Sequence, residues 1–119
     1  MKAIIYHNPR CSKSRQTLSL LEARGVDVDV IDYLKDAPDA ARLRSLMKAL
    51  GKRPREVIRR GEAPFTELGL AAQLDDDDAL IAAIAAHPVL LERPIVVVGG
   101  RAAIGRPPEN VLALFEPAR

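Results

Sequence analysis

The chain opens on a short apolar run, Ala3-Ile4-Ile5-Tyr6, stopped by the turn signal His7-Asn8-Pro9, which predicts a buried first strand. From Ser12 to Arg24 the apolar positions Leu18, Leu20 and Leu21 gather on one side. Arg15, Gln16, Ser19 and Glu22 take the other, and Gly25 follows as a stop, so this segment predicts an amphipathic helix. Val26-Asp27-Val28-Asp29-Val30 then alternates with period two and predicts a strand ending near Ile31-Asp32-Tyr33, with one face covered. These elements form a β-α-β unit.

The middle of the chain changes period. Asp39 reads as the cap of a helix carrying Leu43, Leu46, Met47 and Leu50, ended by Gly51, and Pro54 opens a shorter helix through Val57-Ile58 to Gly61. Asp75 to Asp78 stand before Leu80, Ile81 and Ile84. Carboxylates favour the positive end of a helix, so the run reads as a cap and first turn rather than as a metal site. His87 follows that helix and is expected to end it or to pack locally.

Ile95-Val96-Val97-Val98 predicts a buried strand, and Gly99-Gly100 a turn returning Ala102-Ala103-Ile104 beside it as a hairpin. Pro107-Pro108-Glu109 starts a last helix with Val111, Leu112, Leu114 and Phe115 inward. The order is β-α-β, a helical block, then β-β-α. That predicts an α/β, thioredoxin-like sheet in one domain over 1–119, with a helical insertion at about 39–87.

Composition narrows the chemistry. At 119 residues, 48% hydrophobic and 29% charged, the chain has the composition of a globular domain. The net charge of +2 and the scarcity of aromatic residues, with two Tyr, two Phe and no Trp, argue against a nucleic-acid coat. The basic stretches Lys52-Arg53-Pro54-Arg55 and Arg59-Arg60 have no interleaved ring and read as surface. No apolar run approaches the ~20 residues of a membrane helix, and Met1-Lys2 leads directly into the first strand without a signal-peptide core. The expectation is a cytoplasmic, monomeric protein with no membrane or nucleic-acid partner.

The single cysteine, Cys11, has no internal disulfide partner, and with only His7 and His87 beside it no zinc spacing exists. Its predicted position is a helix N-terminus, where unpaired N–H groups and the helix dipole favour thiolate. Arg10, Lys13 and Arg15 act in the same direction. The motif Cys11-Ser12-Lys13-Ser14 is C-x-x-S, and serine cannot resolve a mixed disulfide. Ser14 either hydrogen-bonds the thiolate or a bound oxyanion, or is a first-turn helix residue.

Tyr6-His7-Asn8-Pro9-Arg10-Cys11-Ser12-Lys13-Ser14-Arg15 resembles the active-site segment of the glutaredoxin-coupled arsenate reductase family. Ile58-Arg59-Arg60-Gly61-Glu62-Ala63-Pro64-Phe65 with Leu68-Gly69-Leu70, then His87-Pro88-Val89-Leu90-Leu91-Glu92-Arg93-Pro94-Ile95-Val96-Val97, then Gly105-Arg106-Pro107 are similar to its three arginine segments, in the same order. The resemblance implies Cys11 as nucleophile, His7 tuning the thiolate, and Arg59, Arg93 and Arg106, with Ser14, holding the oxyanion. Arg60, beside Arg59, reads as a surface cation. The resemblance also implies a cis peptide before Pro94, placing Arg93 at the thiol. It further implies arsenate as substrate, glutathione as co-substrate and glutaredoxin as partner, with no metal and no bound cofactor. Thr17 stands where a C-x5-R phosphatase-like loop needs arginine, which sets that other class of arsenate reductases aside.

Two rivals remain on the sequence alone. One is a glutathione-dependent thiol reductase of another substrate, since Arg10 and Lys13 also suit the carboxylates of glutathione. The other is a non-enzymatic regulator of the same fold that binds RNA polymerase, although such regulators use a C-x-x-C switch that Ser14 removes.

Overall fold

A computed structural model describes residues 2–116. The chain forms two compact units, one from the two ends of the chain, bounded by Asp36 and Arg93, the other spanning Ala37–Glu92.

The first unit is built on a four-stranded sheet. Strand β1 (Lys2–His7), helix α1 (Ser12–Ala23) and strand β2 (Asp27–Asp32) come from the first end of the chain, and β3 (Ile95–Val98) and β4 (Arg101–Ile104) from the second. The strand order is β2-β1-β3-β4, with β1 parallel to β2 and antiparallel to β3, and β3 antiparallel to β4. The register pairs Ile5 with Val30 on one side and with Val96 on the other. Ala3, Ile5, Leu21, Val96, Val111 and Leu114 form the core of this unit, with Leu18, Val28, Val98 and Phe115 packed against it. Each large side chain fully buried in such a core contributes ~1.5–3 kcal/mol.

Three details differ from the sequence expectations. The inward face of α1 carries Ser14 and Thr17, both fully buried, while Leu20 is only partly covered. Small hydroxyls are tolerated there because each has a hydrogen bond: Thr17 Oγ1 donates to the Lys13 carbonyl at 2.8 Å, and Ser14 Oγ is bonded on two sides. On the edge strand β2 the covered face is incomplete, and Val30 is half exposed. The last helix, Pro108–Phe115, is a 3-10 helix, so residues three apart line up. Pro108, Val111 and Leu114 are therefore the buried set, with Leu112 and Phe115 to the side.

The second unit is helical: α2 (Ala40–Leu50), α3 (Pro54–Val57), α4 (Ala63–Glu67) and α5 (Asp77–Ala86), with 3-10 turns at Leu70–Gln73 and Pro88–Leu90. Asp39 accepts the Arg42 N–H at the start of α2, and Gly51 ends it with φ 67°, a left-handed position that only glycine takes without penalty. Leu43, Leu46, Met47, Val57, Phe65, Leu80, Ile81 and Ile84 are buried within it. The short helix after Pro54 stops at Val57 and does not continue to Gly61. Ile58 is extended, with φ −85° and ψ 134°, and bridges Leu91 in antiparallel fashion. The bonds Arg59 N–H to Leu90 O at 2.7 Å and Glu92 N–H to Val57 O at 2.8 Å flank that bridge.

The acidic run works as a helix start. Asp76 accepts the Ala79 N–H at 3.0 Å, while Asp75, Asp77 and Asp78 pair with Arg55, Arg53 and Arg44 at 2.7, 3.0 and 3.1 Å. His87 follows α5 as its C-cap, through its backbone N–H to Ala83 O. Among the described residues no group of His, Cys, Asp and Glu is arranged to hold a metal, and no helix is long and apolar enough to cross a membrane.

Candidate active site

Pro9 ends β1 because it has no N–H to give a neighbouring strand, and the chain turns at Asn8. The Asn8 carbonyl accepts the Cys11 N–H at 3.0 Å, and its side-chain Oδ1 accepts the Arg10 N–H at 3.0 Å. This double closure brings Cys11 to the N-cap of α1, with φ −91° and ψ 122°, and its carbonyl takes the first helical bond, from Arg15 N–H. A helix beginning there leaves the N–H groups of its first residues without helical partners. Those of Ser14 and Lys13 turn to the Cys11 sulfur.

The sulfur is also met by arginines from the other end of the chain. Arg106 Nη2 lies 3.5 Å from Cys11 Sγ, and the Arg93 side chain hydrogen-bonds the thiol. Arg106 is itself held, since its Nε donates to the Arg93 carbonyl at 2.7 Å and its own carbonyl accepts from Asn110 Nδ2 at 2.9 Å. The peptide bonds Arg93–Pro94 and Arg106–Pro107 are both cis. Burial pushes the Cys11 thiol up, but the Ser14 N–H, the Arg93 guanidinium, the Arg106 charge and the Lys13 N–H outweigh it. The thiol therefore titrates below its ordinary 9.0.

His7 and Ser14 lie behind this arrangement. Both are buried, and Ser14 Oγ is 2.7 Å from His7 Nδ1 while accepting the Asn8 N–H at 3.0 Å. The serine hydroxyl thus joins the imidazole to the backbone of the turn, donating to Nδ1 in the tautomer protonated at Nε2 and accepting from it in the other. Burial lowers the His7 pKa below 6.5, and Arg15 adds to the fall, against a smaller opposing pull from Asp32. Ser14 turns its hydroxyl to His7 and Asn8, and its backbone N–H to the sulfur.

The remaining arginines are distributed differently. Arg15 Nη1 donates to the Pro9 carbonyl at 2.9 Å and braces the loop. Arg59 belongs to the helical unit, where its Nε and Nη1 meet Glu62 at 3.3 Å and Glu92 at 2.9 Å. Arg60 is exposed and donates to the Arg55 carbonyl at 3.3 Å. Sequence reasoning missed Asn8, whose only signal was the Asn-Pro dipeptide, and Gly105, which immediately precedes Arg106.

A cysteine sulfur whose thiolate form is favoured by two guanidinium groups and a row of N–H donors can attack an electrophilic centre carrying negatively charged oxygens. Known proteins agree with the setting. The model of the ArsC family matches residues 6–114. The chain is 53% identical over 111 residues to the uncharacterized protein YfgD of Escherichia coli strain K12, covering 92% of this chain and 93% of that one. It is 50% identical over 112 residues to an arsenate reductase of Neisseria meningitidis serogroup A, covering 93% and 96%. Among solved structures, the arsenate reductase from Vibrio cholerae matches with a TM-score of 0.91 at 50% identity, over 95% of this chain and 97% of that one. The mixed sheet is accordingly of the thioredoxin-like kind. By sequence over nearly its whole length and by fold, the chain belongs to the ArsC family.

Proposed function

We propose that this protein is an arsenate reductase that uses Cys11 as its single nucleophilic thiol, with glutathione and glutaredoxin as the source of reducing equivalents. The observation that carries the reading is the convergence of Arg93 and Arg106 on the Cys11 sulfur. Guanidinium groups stay charged and present paired donors, which suits a tetrahedral oxyanion.

In the first step the Cys11 thiolate attacks arsenic, forms an S–As bond and expels one arsenate oxygen as water after protonation. The arginines hold the remaining oxygens, and the charge they carry offsets that of the anion as it meets the thiolate. A glutathione thiolate then attacks Sγ. The new S–S bond forms as the S–As bond breaks, and its electron pair passes to arsenic, reducing it from the +5 to the +3 state and releasing arsenite. Because Cys11 is the only cysteine of the sequence, an external thiol must open the mixed disulfide. A glutaredoxin thiolate attacks the glutathione sulfur, and Cys11 leaves as thiolate. Arg59 is assigned to the oxyanion by the family resemblance, and kinetics test that assignment.

The test is NADPH consumption on adding arsenate to the protein with glutathione, glutaredoxin and glutathione reductase, beside Cys11→Ser and Arg93→Ala. Arsenate-dependent turnover lost in Cys11→Ser and weakened in Arg93→Ala is expected. A wild-type protein that forms a glutathione mixed disulfide yet shows no arsenate turnover would move the reading to a thiol reductase of another substrate. The two carboxylates already occupying Arg59 favour that second reading.

A further inference from the structure

Gly105 is buried, immediately before Arg106, and its φ is not among the left-handed glycines, which are Gly25, Gly51, Gly69 and Gly99. Conformational freedom is therefore not what the position requires. What it requires is space. A Cβ built on Gly105 would lie 2.5 Å from Thr17 Oγ1, 2.8 Å from Pro94 Cγ and 3.1 Å from Thr17 Cγ2.

Both neighbours are fixed. Thr17 is fully buried on α1, with its hydroxyl tied to the Lys13 carbonyl, and Pro94 follows Arg93 and accepts the Gly105 N–H through its carbonyl at 2.9 Å. The turn carrying Arg106 is thus closed against the helix that carries Cys11 and against the segment that carries Arg93. Nothing larger than hydrogen fits between them. Ordinary contact would demand a retreat of about 1 Å from Thr17. Arg106 Nη2 stands 3.5 Å from the sulfur, and a movement of that size directed away from it takes it out of hydrogen-bond reach.

We propose that Gly105 is a positioning residue for Arg106: by lacking a side chain it lets the turn close on Thr17 and Pro94, and this closure sets the guanidinium at the Cys11 thiol. The proposal deepens the oxyanion reading of Arg106 and rests on it for its kinetic part. Its thiol part stands independently, since Arg106 acts on the sulfur whatever the substrate.

The experiment compares the full-length wild type with Gly105→Ala, Thr17→Ala, Arg106→Ala, Gly105→Ala/Thr17→Ala and Gly105→Ala/Arg106→Ala. Each is measured for the pH midpoint of Cys11 alkylation by iodoacetamide and for KM and kcat with arsenate. Gly105→Ala is expected to move the alkylation midpoint upward, toward that of Arg106→Ala, and to raise KM about tenfold, with kcat changed less. Adding Thr17→Ala removes both threonine contacts but leaves Pro94 Cγ at 2.8 Å, so it should recover part, not all, of the loss in both values relative to Thr17→Ala alone. In the Arg106→Ala background the glycine substitution should have no further effect. An unchanged midpoint and KM in Gly105→Ala, a further loss of equal size without Arg106, or a Gly105→Ala protein that does not fold would each overturn the proposal. If the wild type turns over no arsenate, the functional reading fails, while the alkylation midpoints still decide the role of Gly105.

Discussion

Replacing Ser14 by alanine separates two roles that a serine three residues after a reactive cysteine can have. The hydroxyl accepts the buried Asn8 N–H at 3.0 Å and meets the buried His7 Nδ1 at 2.7 Å. Alanine leaves both without a partner. A buried polar group stripped of its hydrogen bond costs ~1–3 kcal/mol, and the small cavity left by the oxygen is only partly relieved, so about 2–4 kcal/mol of stability should be lost. With a urea dependence of about 2 kcal/mol per molar, the midpoint of unfolding should fall by about 1–2 M. The thiol, by contrast, takes its bond from the backbone N–H of residue 14, which alanine retains. Its alkylation midpoint should therefore move by less than about half a pH unit. Urea titration and the pH profile of iodoacetamide alkylation read the two effects separately. Stability unchanged within about 0.5 kcal/mol, together with a midpoint raised by about one pH unit, would refute the reasoning and show that the hydroxyl serves the thiolate.

Three further outcomes are expected. His7 titrates below 6.5 when folded, so the unfolded chain takes its proton first as the pH falls through that value. Stability should be level above 6.5 for this group and decline below it until the folded histidine titrates, a slope that His7→Gln should flatten in urea titrations between about pH 7.5 and 5. Arg59→Ala should raise KM for arsenate severalfold, whereas Arg60→Ala, an exposed cation on a backbone carbonyl, should stay within about twofold; equal effects would remove Arg59 from the oxyanion. Asp76→Ala removes the side-chain cap of α5 and should cost about 1 kcal/mol in unfolding, while Asp78→Ala, an exposed partner of Arg44, should cost less than about 0.5 kcal/mol.

What the sequence discloses follows the range of the forces involved. Asp39 and Gly51 bracket α2 because caps are local chemistry, and Gly99-Gly100 turns the β3–β4 hairpin for the same reason. Ile58 was misread because its conformation is set by Leu91, a distant partner that leaves no trace in local periodicity. The last helix was misread more subtly. Over so few turns a period of 3.0 and one of 3.6 choose nearly the same apolar positions, and only the line Pro108, Val111, Leu114 separates them. The burial of Ser14 and Thr17 rests on hydrogen-bond partners that the local pattern of apolar positions does not disclose.

The site divides along the same boundary. Cys11 at a helix start is visible in the turn that precedes it, and Arg93 and Arg106 stand in recognisable segments. The tie between Asn8 and Arg10, and the fit of Gly105 against Thr17, depend on a polar side chain folding back and on a missing atom. Neither has a compositional signature.

The donors that Ser14 and Lys13 offer the sulfur belong to the main chain, not to their side chains. A survey of thiol acidity by alanine replacement would leave both donors in place and attribute the effect to the arginines alone. Only proline, or a shift in where α1 begins, removes those donors. The side chain at 13 can consequently change size without removing that donor, so this part of the chemistry is stored in the path of the backbone.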